Sequence, residues 1–272
     1  MSIRTVGVIG LGAMGRPMSR HLATAGYTVV GYDPDAQACR RAAEVGLRPL
    51  ASPKEVAHES DVVMIVVGFE KQVEAVVFGD DGILAGARPG LVIGLGSTVS
   101  PTYARRLAER VDTREIGLLD MPLTRSDRAA EAGTMLVLGG AEPEIFEACR
   151  PMLETFATDI VHLGPFGSGQ VAKMVNNMIL WACMAANDEG LRLGERLGVD
   201  QERMREALVL SSATNFALAE RADTRPIPWA EKDLTIAQQE ADQLNFAIPV
   251  TGLIKEAIKE FKARKGYPTP TL

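Results

Sequence analysis

The chain has 272 residues, 46% of them hydrophobic and 24% charged, the balance of an ordinary globular protein with enough apolar material for one large domain or two smaller ones. A formal net charge of −6 repels phosphate backbones and acidic lipid surfaces, so nucleic acid and membrane are excluded as expected partners, whereas one small anion in a local basic pocket is not. Cys39, Cys149 and Cys183, like His21, His58 and His162, are scattered without metal-ligand or redox spacing, which argues for free thiols and against a zinc site or a Ser-His-Asp hydrolase.

The N-terminal residues run straight into an apolar strand pattern, Thr5-Val-Gly-Val-Ile9, with no separate hydrophobic leader, and a cytoplasmic location is expected. Further strands are predicted at Thr28–Tyr32, 62–67, 91–95, 118–120 and 135–139, with helical spacing between several of them at 14–25, 35–45 and Pro101–Arg110. Runs such as Val62-Val-Met-Ile-Val-Val67 are apolar without alternation, as in strands buried on both faces. The pattern predicts a doubly wound α/β domain with a parallel sheet over 1–163. Beyond it the periodicity is only helical: a long helix ending near Gly198, then 201–210, 233–244 and 249–262. Asp200 is the expected N-cap, and Pro226 and Pro228 mark a connection. Residues 164–272 are therefore expected to form an all-α substrate and dimerisation domain, joined through the long helix and closing in a short frayed tail at 267–270. Its apolar helices suggest a homodimer or homotetramer.

Gly10-Leu11-Gly12-Ala13-Met14-Gly15 fits G-x-G-x-x-G, and its context gives it weight. It follows a predicted strand and opens a predicted helix. The first glycine allows the tight turn, the second lets the backbone approach a pyrophosphate, and the third lets helix and strand pack closely. Asp33 closes the second strand, where a carboxylate accepts from ribose hydroxyls and repels a 2′-phosphate. The segment predicts a nicotinamide dinucleotide site that favours NAD over NADP. An ordinary structural turn is the alternative.

Lys173 and Asn177 stand four apart on the long helix, sharing one face amid Val171, Ala172, Met174, Val175, Met178 and Ile179. A lysine in such apolar surroundings needs a partner, a wet cleft or a lowered pKa. With a lowered pKa it can take a hydroxyl proton as hydride leaves, while Asn177 orients the hydroxyl. The alternative is a lysine that snorkels from a core helix, its neighbouring asparagines bonded to backbone.

The segment 164–177, Gly164-Pro-Phe-Gly167-Ser-Gly169-Gln-Val-Ala-Lys173-Met-Val-Asn176-Asn177, resembles the signature G-x-x-G-x-G-x-x-x-K-x-x-x-N of the β-hydroxyacid dehydrogenases, which include 3-hydroxyisobutyrate dehydrogenases and semialdehyde reductases. Met14-Gly15-Arg-Pro17-Met18, Ser97-Thr98-Val-Ser-Pro101 and Lys232-Asp233-Leu234 are similar to that family's other motifs, so the likeness spans nearly the whole chain. It implies a Rossmann domain, Lys173 as acid/base with Asn177 in support, Asn176 at the substrate, and Val66, Val67, Thr98 and Lys232 along the cofactor. It implies no metal. The implied reaction interconverts a small anionic 3-hydroxy acid and its semialdehyde or keto form.

One segment departs from the family. Where relatives read D-x-P-V-S-G-G, this chain has Asp120-Met-Pro122-Leu-Thr124-Arg125-Ser126. Thr124 keeps a hydroxyl for a substrate carboxylate, and Arg125 offers a planar fork to a carboxylate, sulfonate or phosphate. The arginine resembles that of sulfolactaldehyde reductases, although Leu180 stands where a small polar residue would serve a sulfonate. An ion pair with Asp127 or Glu131 is the structural alternative. The segment from Ser212 to Trp229 is also shorter than is usual in the family. Two other functions remain open: an imine reductase of the same plan, against which Lys173 speaks, and a non-catalytic dinucleotide sensor, which would need only the glycine loop.

Overall fold

The computed structural model describes residues 2–112, 114–220 and 227–268. Pro226, residues 221–226 of the short segment, and the tail from Thr269 lie outside them. The chain divides into two compact units, Met1–Lys173 and Met174–Leu272.

The first unit runs β1 (Thr5–Ile9), α1 (Gly15–Thr24), β2 (Thr28–Tyr32), α2 (Ala36–Ala43), β3 (Leu47–Pro49), α3 (Pro53–Glu59), β4 (Val62–Ile65), α4 (Glu70–Phe78), α5 (Ile83–Gly86), β5 (Val92–Leu95), α6 (Pro101–Arg110), β6 (Gly117–Asp120), β7 (Leu123–Thr124), α7 (Ser126–Ala132), β8 (Met135–Ala141), α8 (Pro143–Leu153), β9 (Ala157–His162) and the start of α9 (Ser168–Arg196). Strands β3-β2-β1-β4-β5-β6 pair in parallel in that order. The order reverses direction between β1 and β4, the point at which such sheets open a crevice for a ligand beyond the strand ends. Alternate residues feed two cores, one on each face: Val6, Val8, Val62 and Met64 join one, and Ile9, Val63, Ile65 and Ile93 the other. Local signals set the helix starts. Ser52 and Ser100 accept from Glu55 N and Tyr103 N, each just ahead of a proline in the first turn.

The sheet is not parallel throughout, as the strand–helix alternation predicted. β8 pairs antiparallel with β6 at Asp120↔Gly140 and with β7 at Thr124↔Leu136, and parallel with β9 on its other side. β6 and β7 thus run along β8 as one strand interrupted at Met121 and Pro122. Short connections explain the antiparallel part: seven residues of α7 suffice to turn the chain from β7 back into β8.

The second unit contains the rest of α9, with α10 (Gln201–Val209), α11 (Phe216–Glu220), α12 (Ala230–Gln243) and α13 (Pro249–Lys265). Asp200 caps α10 by accepting from Arg203 N. Trp181, Ile227, Ala230, Leu234 and Ile258 form its buried core. Lys262, 1% exposed, is compensated by an ion pair with Glu231 at 2.9 Å.

Candidate active site

The glycine loop joins β1 to α1. Gly10 has φ +94°, and a side chain there would collide with the Val66 carbonyl oxygen at 2.4 Å. A side chain on Gly15 would meet the Gly10 carbonyl at 1.9 Å, so the turn can close against the helix only with glycine at both places. Space beside Gly12 is open, with nothing within 4 Å of where a side chain would begin, as the approach of a pyrophosphate requires. Asp33, at the end of β2, accepts from Leu11 N at 2.8 Å and from Asp35 N at 2.9 Å, which holds its carboxylate beside the loop. Val66 and Val67 follow β4, and Val67 N donates to Ser97 Oγ at 2.8 Å, which ties the ends of β4 and β5 together just before Thr98. The expected dinucleotide residues of the first unit thus gather at the carboxyl ends of β1, β2, β4 and β5. An open glycine loop, an acid at the second strand and a helix N-terminus fit a nicotinamide dinucleotide.

Thr124 ends β7 and is buried; its hydroxyl donates to the Leu136 carbonyl at 3.4 Å. Lys173 on α9 is half-buried and donates from Nζ to the Leu123 carbonyl at 2.7 Å, which sets the amine at the peptide that joins Leu123 to Thr124. Arg125, expected to offer its fork to a substrate anion, makes its contacts within the protein from one nitrogen, Nη1. Its guanidinium donates to Asp159 Oδ2 at 2.5 Å, Thr158 Oγ1 at 3.1 Å and the Thr134 carbonyl at 3.3 Å. The partner is neither Asp127 nor Glu131 but a residue of β9, which β8 brings alongside. Arg125 and Ser126 have φ of +77° and +74°, so the backbone keeps a conformation that favours the glycines of relatives.

In the second unit Asn177, 4% exposed, donates from Nδ2 to Asp233 Oδ2 at 2.9 Å and accepts from Asn176 Nδ2 at 2.9 Å. Trp181 Nε1 donates to the same Asp233 oxygen at 3.3 Å. Lys232 lies 3.6 Å from Asp233 Oδ1, with its ammonium 5.7 Å from the centre of the Trp229 ring. Asp233 therefore fixes the Asn177 amide so that its nitrogen points to the carboxylate.

Two family descriptions match the chain: the NAD binding domain of 6-phosphogluconate dehydrogenase over residues 5–164, and the NAD-binding domain of NADP-dependent 3-hydroxyisobutyrate dehydrogenase over 167–269. The chain belongs to the β-hydroxyacid dehydrogenase family. It is 30% identical to the 2-(hydroxymethyl)glutarate dehydrogenase of Eubacterium barkeri, over 95% of this chain and 89% of that one. Identity to the 3-hydroxyisobutyrate dehydrogenase of Pseudomonas aeruginosa is 35%, over 78% of this chain and 72% of that one. Among solved structures, the 3-hydroxyisobutyrate dehydrogenase of Mycobacterium tuberculosis with L-serine superposes with a TM-score of 0.84 at 28% identity, covering 99% of this chain and 97% of that one. This β-hydroxyacid dehydrogenase is an NAD(P)-dependent oxidoreductase that acts on a small-molecule substrate.

Three acids that sequence reasoning left without a role act within their own units, two in the first and one in the second. Asp159 holds Arg125, and Asp233 holds Asn177. Asp120, 0% exposed, accepts from Gln170 N at 2.9 Å at the start of α9. Its Oδ1 is buried with no hydrogen-bond partner. Burial pushes its carboxyl up to about 7, against the opposing pull of the N–H groups of Gln170, Gly167 and Gly169. Asp120 and Asp233 lay inside quoted motifs; Asp159 carried no sequence signal.

Proposed function

We propose that this enzyme oxidises a small 3-hydroxy acid to its semialdehyde or keto form, and runs the reverse reaction, with Lys173 as acid/base. The observation that carries the reading is the Lys173 amine held at 2.7 Å on the Leu123 carbonyl, in the segment that leads into Thr124. Thr124 supplies the donor for the substrate carboxylate by turning its one hydroxyl proton from the long bond to the Leu136 carbonyl, and Asn176 lies one position before Asn177 on the same helix as Lys173. A bound nicotinamide supplies the hydride acceptor or donor. In oxidation Lys173 takes the proton from the substrate hydroxyl as the carbonyl forms; in reduction it returns that proton. Asn177 is oriented by Asp233 to support the hydroxyl. The names of two relatives fit the same substrate plan, since 2-(hydroxymethyl)glutarate and 3-hydroxyisobutyrate both carry a hydroxyl on the carbon β to a carboxylate. Lys173 also favours alcohol–carbonyl chemistry over imine reduction.

Asp33 supports NAD over NADP, because its carboxylate stands at the end of β2, where a 2′-phosphate would be repelled. Lys232 is assigned to the cofactor side of the second unit. The bonds of Arg125 to Asp159, Thr158 and Thr134 all leave from Nη1, so the same guanidinium can fix the substrate segment and still face a sulfonate or second carboxylate with its other N–H groups. A homodimer or homotetramer would cover the exposed stripe formed on α9 by Val175, Ile179 and Leu193 and continued by Leu197 just past its end.

The test is cofactor reduction by the pure protein over a panel of small 3-hydroxy acids, with sulfonated and phosphorylated analogues, in NAD and in NADP. Lys173→Ala is expected to cut kcat by at least about 10²-fold with dinucleotide Kd little changed. Turnover that survives the substitution would remove Lys173 from the chemistry. Silence of the unmodified enzyme across the panel would overturn the substrate class.

A further inference from the structure

The start of α9 is fastened to the sheet by one side chain that the proposed chemistry does not use. Gln170 is 0% exposed and lies one helical turn before Lys173. Its Oε1 accepts from Val99 N at 3.1 Å, and its Nε2 donates to the Ser97 carbonyl at 3.1 Å and the Leu95 carbonyl at 3.5 Å. Its backbone N–H donates to Asp120 Oδ2 at 2.9 Å. One residue therefore grips the end of β5 with its amide and the end of β6 with its backbone. The residues gripped flank Thr98, and Asp120 lies three residues before Leu123, whose carbonyl receives Lys173.

An apolar residue of the same size would fill the space but leave Val99 N and the Ser97 carbonyl without their partner. A buried amide wired at both ends also fixes more than packing does. Its donor and acceptor cannot exchange places, so α9 can neither turn about its axis nor slide without breaking several bonds. Lys173 sits one turn further on, where a rotation of the helix at Gln170 would swing the amine away from Leu123.

We propose that Gln170 is a positioning residue. Its amide locks the rotation and axial setting of α9 against the strand end that carries Ser97–Val99, and so places the Lys173 amine for proton transfer. The inference rests on the proposed role of Lys173, and one of its measurements is independent of turnover.

The test uses the full-length protein with Gln170→Met, which keeps the length and loses the hydrogen bonds, and Gln170→Glu, which regains a donor only when its carboxyl is protonated. Gln170→Met is expected to lower kcat about 100-fold, as small misplacements of catalytic groups do, while KM and dinucleotide Kd stay within about threefold. Without cofactor or substrate, reductive methylation of Lys173, followed by mass spectrometry, is expected to run several-fold faster in Gln170→Met. Gln170→Glu is expected to match the Met variant at pH 8 and to recover towards the unmodified enzyme, at equal pH, as the pH falls to 5.5. A folded Gln170→Met with unchanged kcat and unchanged methylation overturns the proposal. Should Gln170→Met fail to fold, a Gln170→Glu variant with no recovery on acidification overturns it instead. Faster methylation in a protein that turns over no hydroxy acid even unmodified would uphold the positioning role and refute the assigned reaction.

Discussion

Among single residues, Asp120 has a charge state that bears directly on the fold. A carboxyl pushed up to about 7 by burial is one that the folded chain prefers protonated, since the unfolded chain holds its aspartates near 3.8. Its contribution to stability is therefore complete below about pH 4 and is lost as the pH rises towards and through 7. Asp120→Asn keeps the shape and removes the titration. In urea unfolding from pH 4.5 to 8, the stability of the unmodified enzyme relative to this variant should fall as pH rises, by up to about 1.4 kcal/mol per pH unit. A difference that stays flat across that range would show that Asp120 does not titrate there. Cys149 is pushed the same way, up to about 12 by burial, and remains a thiol in the physiological range.

Among the elements, the turn from β7 into α7 carries the most local strain. Arg125 and Ser126 both adopt left-handed backbone, which costs a residue with a side chain about 1–2 kcal/mol. Ser126→Gly would relieve that strain while adding about 0.5–1 kcal/mol of chain entropy to be lost on folding. The net expectation is a stabilisation of up to about 1 kcal/mol, read as a raised urea midpoint with an unchanged slope; a lowered midpoint would mean that the serine side chain contributes more than the strain costs. Nothing in Arg125 and Ser126 themselves announces this strain, because left-handed backbone is usually marked by glycine; its sign is the Gly-Gly that relatives carry at these two positions. The glycine loop, Asp33 and the Lys173 helix were legible because each signal is local, contained in a strand, a turn and a helix. β3 and β7 escaped notice at three and two residues, too short for any periodicity. β9 escaped because its residues from Thr158 onward are at least partly exposed, as in an edge strand, so no apolar run marks it. The roles of Asp120 and Gln170 depend on where the chain returns to after a long excursion, which spacing along one segment cannot report.

At the scale of the whole molecule, no helix among the described residues is long and apolar enough to cross a membrane, and the net charge of −6 opposes any acidic surface. The parts of the site differ most in how far apart their residues lie along the chain. Leu11 and Asp33, which meet at the dinucleotide loop, are 22 positions apart. Lys173 meets Leu123, and Gln170 meets Asp120, across 50 positions, and between them lie both antiparallel pairings of β8 and its parallel pairing with β9. Contacts closed over longer stretches form later, because more chain entropy is lost before they are made. The enzyme should therefore acquire its two abilities in sequence as it refolds from denaturant, capturing dinucleotide first and gaining catalytic competence only when β8 and β9 have zipped together. A newly made chain would pass through an interval in which it holds the redox partner but has no means to use it.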